Sequence, residues 1–319
     1  MALDERFEST ELHKLLSVVE HIRILQEPGD VKFPDMVMCG VQSSGKSSVL
    51  QGLAGVNLPR RKEITTRVAL QLNLVVDSDL PEGQAYALIS SKPDLERTGK
   101  RFEEDQMEDL GEEIERITTI LAGESPRVEP DGMIYLRMVR ARGPTMTLVD
   151  LPGISYKDEN LTMATKECFR RRFSDPGNEN IILLVKTAAS DVESDPATEE
   201  AKRVDPDGKR TICVLTNMDR PFNPDNIDKT VKKLAEEAKA GVFPVFNPDR
   251  LDLTPTEARQ EEEAFFKERS QVCPLHFSLC DSSTQGWFGV TIAHARVPSV
   301  HENRMPEAYL HTNALATEA

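Results

Sequence analysis

Short apolar runs alternate with stretches that are apolar on one side only, and this pattern extends over most of the chain. Eight runs predict strands, at Met36–Cys39, 68–76, 84–90, Met133–Met138, Thr145–Val149, Ile181–Val185, Thr211–Leu215 and Val242–Phe246. The run from Ile181 to Val185 is continuously apolar, which is typical of a central strand buried on both faces. Strands that alternate with helices predict an α/β fold in three layers, with a mostly parallel central sheet flanked by helices.

Helices are predicted where apolar residues recur every three or four positions. One such stripe precedes the first strand and consists of Leu12, Leu15, Leu16, Val19, Ile22 and Leu25. Further helices are predicted at 47–53, 100–121, 160–173, 225–239 and 256–269. Beyond Cys273 the periodicity is weak. We therefore divide the chain into an N-terminal helix within residues 1–30 that packs on the main domain, a main domain at 31–270, and a divergent C-terminal tail at 271–319.

Charge and cysteine content narrow the functional classes. With 54 acidic and 39 basic residues the net charge is −15, which repels nucleic acid and anionic lipid at long range. We expect no nucleic-acid partner, and membrane contact would need a local basic patch. The five widely spread cysteines favour a reducing compartment. The chain begins without an apolar secretion signal, and no apolar run reaches about 18 residues. These features together predict a cytoplasmic protein.

The first strand leads directly into a phosphate-binding loop pattern. Residues 40–47 read Gly-Val-Gln-Ser-Ser-Gly-Lys-Ser, which matches GxxxxGK[ST] between a strand and a helix. The glycines let backbone N–H groups turn toward a phosphate, and the helix N-terminus adds a favourable dipole. Lys46 would reach the β- and γ-phosphates, and Ser47 would hold Mg²⁺. The residues assigned to nucleotide binding in this loop are Gly40, Ser44, Gly45, Lys46, Ser47 and Ser48.

A second candidate motif follows the strand at 145–149. Asp150-Leu151-Pro152-Gly153 places a carboxylate at the end of a strand and a glycine three residues later. Asp150 would hold the metal through water, and the Gly153 amide would sense the γ-phosphate. The same four residues also suit an ordinary turn after a strand, so the assignment depends on the phosphate loop.

A third motif follows the strand at 211–215 and reads Thr216-Asn217-Met218-Asp219. The Asp219 carboxylate would accept hydrogen bonds from the N1–H and the amino group of guanine. Adenine lacks this pair of donors, so the motif favours GTP over ATP and argues against a P-loop ATPase. The residues assigned to nucleotide binding in this motif are Thr216, Asn217 and Asp219. The usual form is Asn/Thr-Lys-x-Asp, and here Asn217 occupies the lysine position. Because the alkyl stem over the base is lost, we expect weaker affinity.

These segments resemble the dynamin family of large GTPases. The matching residues are Gln42 to Leu50, Leu58-Pro59-Arg60 with Thr66-Arg67, Leu70-Gln71-Leu72, Leu148 to Gly153, Val204-Asp205-Pro206, Gly208-Lys209-Arg210-Thr211 and the segment from Gly241 to Asn247. They occur in the family's order and spacing over roughly residues 10–270. The resemblance implies a P-loop GTPase domain that uses GTP and Mg²⁺.

The resemblance also implies roles for single residues. Gln42 would orient the attacking water, Ser43 would help to neutralise transition-state charge, and Thr66 would complete Mg²⁺ coordination. Asn247 would contact the base or ribose. The implied catalytic set is Gln42, Ser43, Lys46 and Thr66, and the implied metal set is Ser47, Thr66 and Asp150. Phosphoryl transfer needs mainly positioning and charge neutralisation, which such a set supplies.

The chain departs from the family in switch I and in length. Arg61, Lys62 and Glu63 stand where relatives usually have glycines. Glycine permits the close backbone approach by which family members bind a monovalent cation, so this departure weakens the case for that ion. We also expect the chain to be a GTPase domain cut off before the family's helical stalk and lipid-binding module, for which its length leaves no room.

Two hypotheses about function follow. The first is a working GTPase, stimulated by dimerisation and linked to membrane remodelling. The second is a GTP-binding interaction module with little hydrolysis that pairs with a full-length relative. Association with membranes or microtubules, with a location peripheral to membranes, is implied by the resemblance alone.

Overall fold

The computed structural model describes the central part of the chain. The described residues are 35–54, 66–77, 79–81, 83–124, 127–141, 146–155, 159–174, 179–188, 195–218, 231, 233–246, 257, 260, 261, 264 and 265. The predicted N-terminal helix and the tail beyond residue 270 lie outside these ranges, as do Arg61, Lys62 and Glu63. The domain boundaries therefore stay predictions.

Within these residues, nine strands form one sheet in the order β4-β3-β5-β2-β6-β1-β7-β8-β9. The strands are β1 Met36–Cys39, β2 Ala69–Val76, β3 Ala85–Ser90, β4 Lys100–Glu103, β5 Met133–Arg140, β6 Met146–Asp150, β7 Ile181–Thr187, β8 Thr211–Thr216 and β9 Gly241–Pro244. Five of the eight described strand pairings are parallel, and the other three, β2–β6, β3–β4 and β3–β5, are antiparallel. The predicted mostly parallel sheet is confirmed.

Helices cover both faces of this sheet. They are α1 Lys46–Ala54, α2 Leu95–Thr98, α3 Leu110–Ala122, α4 Glu159–Arg171 and α5 Pro196–Val204, with a 3₁₀ helix at Glu104–Asp109. Residues 233–237 are also helical. None of the described helices has both the length and the hydrophobicity needed to cross a bilayer.

The alternation of side chains along β1 and β7 explains the three layers. Met38 and Val185 lie in one apolar cluster with residues of α1 and α3. Val37 and Leu184 lie in a second cluster with residues of α4 and α5. Successive side chains of a strand point to opposite faces, so an apolar run without alternation requires a cover on each face. The α/β fold predicted from the apolar runs is confirmed.

The predicted helix at 100–121 is wrong in its first half. Lys100–Glu103 forms the edge strand β4, antiparallel to β3, and the α-helix begins only at Leu110. Phe102 is buried while Lys100, Arg101 and Glu103 are exposed. Phe102 is the one apolar residue of the four, so no alternating apolar pattern marks this strand in the sequence.

Helix α5 was not predicted, although its start carries a recognisable signal. The Asp195 carboxylate accepts a hydrogen bond from the Ala197 amide, and Pro196 occupies the first helical turn. An N-cap aspartate followed by proline is a common helix start.

Candidate nucleotide-binding site

The loop between β1 and α1 has the backbone shape of an anion site. Ser43 and Gly45 both adopt the left-handed conformation, with φ of 61° and 91°. Left-handed residues next to right-handed ones turn successive N–H groups toward one side of the chain. Helix α1 then begins at Lys46, and its free N–H groups add positive potential at the same place.

The glycine at position 40 is required by packing against a neighbouring strand. A Cβ there would overlap the carbonyl oxygen of Val185 on β7 and lie 2.7 Å from the Ser44 hydroxyl oxygen. The Ser44 side chain is fully buried, and its hydroxyl finds no hydrogen-bond partner among the described residues. The start of the loop is therefore held tightly against β7.

The Lys46 side chain folds back over its own loop. Its ammonium group donates to the carbonyls of Gly40 and Val41, at 3.2 and 3.1 Å. Burial lowers the pKa of Lys46, and the nearby carboxylate of Asp150 partly offsets this. An anion in the loop would provide stronger acceptors than these two carbonyls.

Gly153 brings the segment after β6 into contact with the phosphate loop. A Cβ at Gly153 would lie 2.9 Å from the Lys46 ammonium nitrogen and 3.0 Å from the Cα of Gln42. The Gln42 amide donates to the Ile154 carbonyl at 2.9 Å, and the Ile154 amide donates to the Gly40 carbonyl at 3.1 Å. The two loops predicted to bind the γ-phosphate are thus joined by backbone hydrogen bonds.

Asp150 lies at the end of β6 beside the phosphate loop. The sheet register pairs it with Met38 of β1 and with Leu70 of β2, and its side chain is buried. Thr66 is half-buried four residues before Leu70, and Ser47 is exposed in the first turn of α1.

The donor set suits a magnesium ion bound together with a nucleotide. In the described part of the chain no three His, Cys, Asp or Glu side chains form a metal cluster of their own. Mg²⁺ commonly uses one or two carboxylates and completes its shell with phosphate oxygens and water. The buried Asp150 carboxylate interacts electrostatically with Lys46, the residue before Ser47, and this arrangement fits that pattern.

Thr216 contacts the phosphate loop directly. Its hydroxyl group donates to the carbonyl of Ser44 at 2.6 Å and also lies 3.1 Å from the carbonyl of Lys186. The predicted nucleotide contact of Thr216 stays a prediction, and the structure adds a role in bracing the loop. Asp219 and Asn247 lie outside the described residues.

A comparison of the sequence with protein families agrees with the fold and with the geometry of this site. A profile described as "Dynamin family" matches residues 36–218, which include the phosphate loop, Asp150, Gly153 and Thr216. The chain belongs to the dynamin family.

Similar dynamin-family proteins include an interferon-induced GTP-binding protein Mx1 of Rattus norvegicus, which is 32% identical over 80% of this chain and 39% of its own length. Dynamin-1-like protein of Mus musculus is 30% identical over 75% of this chain and 34% of its own length. An interferon-induced GTP-binding protein Mx of Perca fluviatilis is 28% identical over 97% of this chain and 98% of its own length. The chain thus spans under half the length of the first two relatives.

A buried ion pair next to this dynamin-family site was not predicted from the sequence. The Lys186 ammonium group lies 2.7 Å from the Asp195 carboxylate and donates to the Thr198 hydroxyl at 3.0 Å, and all three residues are buried. The one signal in the sequence is a lysine that directly follows the continuous apolar run of β7. The pair ties the start of α5 to the strand that contacts the phosphate loop.

Proposed function

We propose that this dynamin-family domain binds GTP with Mg²⁺ and hydrolyses it to GDP and phosphate. The observation that carries the proposal is the meeting of Lys46, Gln42 and Gly153, which belong to two separate loops. The names of the rat and perch relatives describe them as GTP-binding proteins, which supports the choice of nucleotide.

Lys46 is the central binding group in this proposal. On binding, its ammonium group exchanges the carbonyls of Gly40 and Val41 for phosphate oxygens. The loop amides and the N-terminus of α1 bind the same phosphates, and the Gly153 segment contacts the γ-phosphate. Closing these groups around the nucleotide excludes water and strengthens each charge interaction.

Magnesium would be held by Ser47, Thr66 and Asp150, and it would neutralise charge on the phosphates when bound. Gln42 would orient the attacking water, since its backbone is fixed next to Gly153. Ser43 would stabilise the developing charge. Asp219 and Asn247 would recognise guanine.

Two assays test the proposal. The first measures binding of a fluorescent GTP analogue, and the second measures release of phosphate from GTP. We expect Lys46→Ala to abolish both signals, whereas Lys202→Ala on the exposed side of α5 leaves them unchanged. Excess ATP should fail to displace the analogue. Equal binding by the Lys46→Ala variant, or equal displacement by ATP, contradicts the proposal.

A second candidate is a GTP-binding module with little hydrolysis. The observation in its favour is the charged Arg61-Lys62-Glu63 segment, which stands where the family usually has glycines. This candidate predicts tight, Lys46-dependent binding with no phosphate release above the Lys46→Ala background.

If the domain does hydrolyse GTP and Arg61 or Lys62 supplies positive charge instead of a monovalent cation, turnover falls in Arg61→Ala and Lys62→Ala variants and is insensitive to the identity of the monovalent salt.

We extend the proposal to a nucleotide-dependent dimer, formed with a second copy or with a full-length relative. The support is family membership, since the family's switch loops meet across the nucleotide. A cytoplasmic location peripheral to membranes, with contact to membranes or microtubules, rests on the same ground. Sedimentation with a transition-state analogue tests the dimer, and a monomer at all protein concentrations contradicts it.

A further inference from the structure

Asn217, in the segment proposed to recognise the base, has an unusual backbone conformation. Its φ of 55° lies in the left-handed region, which residues other than glycine rarely adopt. Thr216 and Met218 on either side are both buried, while Asn217 is half-buried. The left-handed residue therefore lies between two side chains in the core.

Both neighbours of Asn217 are held by contacts in the core. The Thr216 hydroxyl is hydrogen-bonded to the Ser44 carbonyl, and the Thr216 carbonyl accepts from the Ala188 amide at 2.9 Å. Met218 packs in an apolar cluster with Leu234. Because residues 216 and 218 are held, residue 217 must take the unusual backbone conformation.

Asparagine tolerates the left-handed conformation better than most residues, since its short amide can hydrogen-bond to nearby backbone groups. We propose that Asn217 is a positioning residue, which holds the nucleotide-binding turn by its backbone preference and not by contact with the base. The ligand in this inference is the GTP of the proposed function, whereas the conformational role is independent of it.

Two substitutions of Asn217, to glycine and to alanine, separate a backbone role from a side-chain contact with the base, because the two variants differ by one methyl group. Asn217→Gly and Asn217→Ala both remove the amide. In ordinary backbone alanine is the more stabilising of the two, but where φ is positive the order reverses. We expect Asn217→Gly to melt about 2–4 °C above Asn217→Ala without nucleotide. The matched control is Lys202→Gly and Lys202→Ala in helix α5, where the alanine variant should melt higher.

Affinity for a fluorescent GTP analogue gives the second readout. We expect Asn217→Gly to bind within about twofold of the unsubstituted protein, and Asn217→Ala to bind roughly tenfold more weakly, because the competent turn is populated less often. Asn217→Ala melting above Asn217→Gly overturns the inference, and so does an equal loss of affinity in both variants. If the unsubstituted protein binds no GTP, the proposed function fails, and the melting order still decides the role of Asn217.

Discussion

At the scale of single residues, Gly153 is the point where the two loops proposed to bind the γ-phosphate meet. An added Cβ would lie 3.0 Å from the Cα of Gln42, so the backbone of one loop must shift. We predict that Gly153→Ala lowers GTP turnover at least about tenfold, because misplacing the loops removes transition-state contacts. Thermal unfolding should change by less than about 3 °C. Turnover equal to that of the unsubstituted protein would show that the contact has no catalytic consequence.

The buried Lys46 ammonium group, which is proposed to bind phosphate, lowers the stability of the nucleotide-free protein. Burial lowers its pKa from the ordinary 10.5, so the folded state holds the charged lysine less favourably than the unfolded state does. We predict that Lys46→Met stabilises the nucleotide-free protein by roughly 0.5–2 kcal/mol, as often happens when a functional group is removed, and abolishes GTP binding.

The pH dependence of this difference has a defined sign. Between the lowered pKa and 10.5, the unfolded state binds the Lys46 proton and the folded state does not, so folding becomes more favourable as pH rises. The advantage of Lys46→Met, measured by urea denaturation, should therefore shrink as the pH rises from neutral toward 10.5. An advantage that grows with pH would contradict the lowered pKa.

At the scale of elements, the buried Lys186–Asp195 pair joins β7 to the start of α5. We predict that Lys186→Met alone destabilises the protein by about 3–5 kcal/mol, because Asp195 keeps a buried charge without its partner. Adding Asp195→Asn should recover most of this loss, since asparagine removes the charge and still caps the helix. Urea denaturation of both single variants and the double variant measures the coupling. Losses that simply add would show that the two side chains act independently.

The same scale shows which elements a sequence can predict. The strands β1, β6, β7 and β8 are predictable from their own sequences, because each is a short run of mostly apolar residues. Strand β4 forms by pairing with β3, and its own charged sequence gives no sign of this pairing. The sequence therefore predicts a helix there, which is wrong. Helix α5 has a local start signal, because Asp195 is an N-cap residue followed by proline. This capping pattern alone is enough to predict where the helix begins.

At the scale of the whole molecule, the phosphate loop was predictable because its chemistry is concentrated in eight consecutive residues. The contacts that brace it come from far along the chain. Thr216 reaches Ser44 across 172 positions, and the Val185 carbonyl of β7 lies against Gly40. Only folding brings such groups together, so the candidate ligands were predictable and their supports were not.

The fold also reconciles the acidity of the chain with the proposed binding of a polyanion. The net charge is −15, yet the loop offers buried Lys46, backbone amides and a helix N-terminus within a small region. Local, partly desolvated groups outweigh distant surface charges, which water and salt screen.

The most direct test of the central claim is steady-state GTP turnover with Mg²⁺ at low and high protein concentration, with Lys46→Ala as the background. We predict turnover above that background, which rises per molecule as the protein concentration increases. Turnover that remains at the Lys46→Ala background at every concentration would contradict a hydrolytic role for this domain.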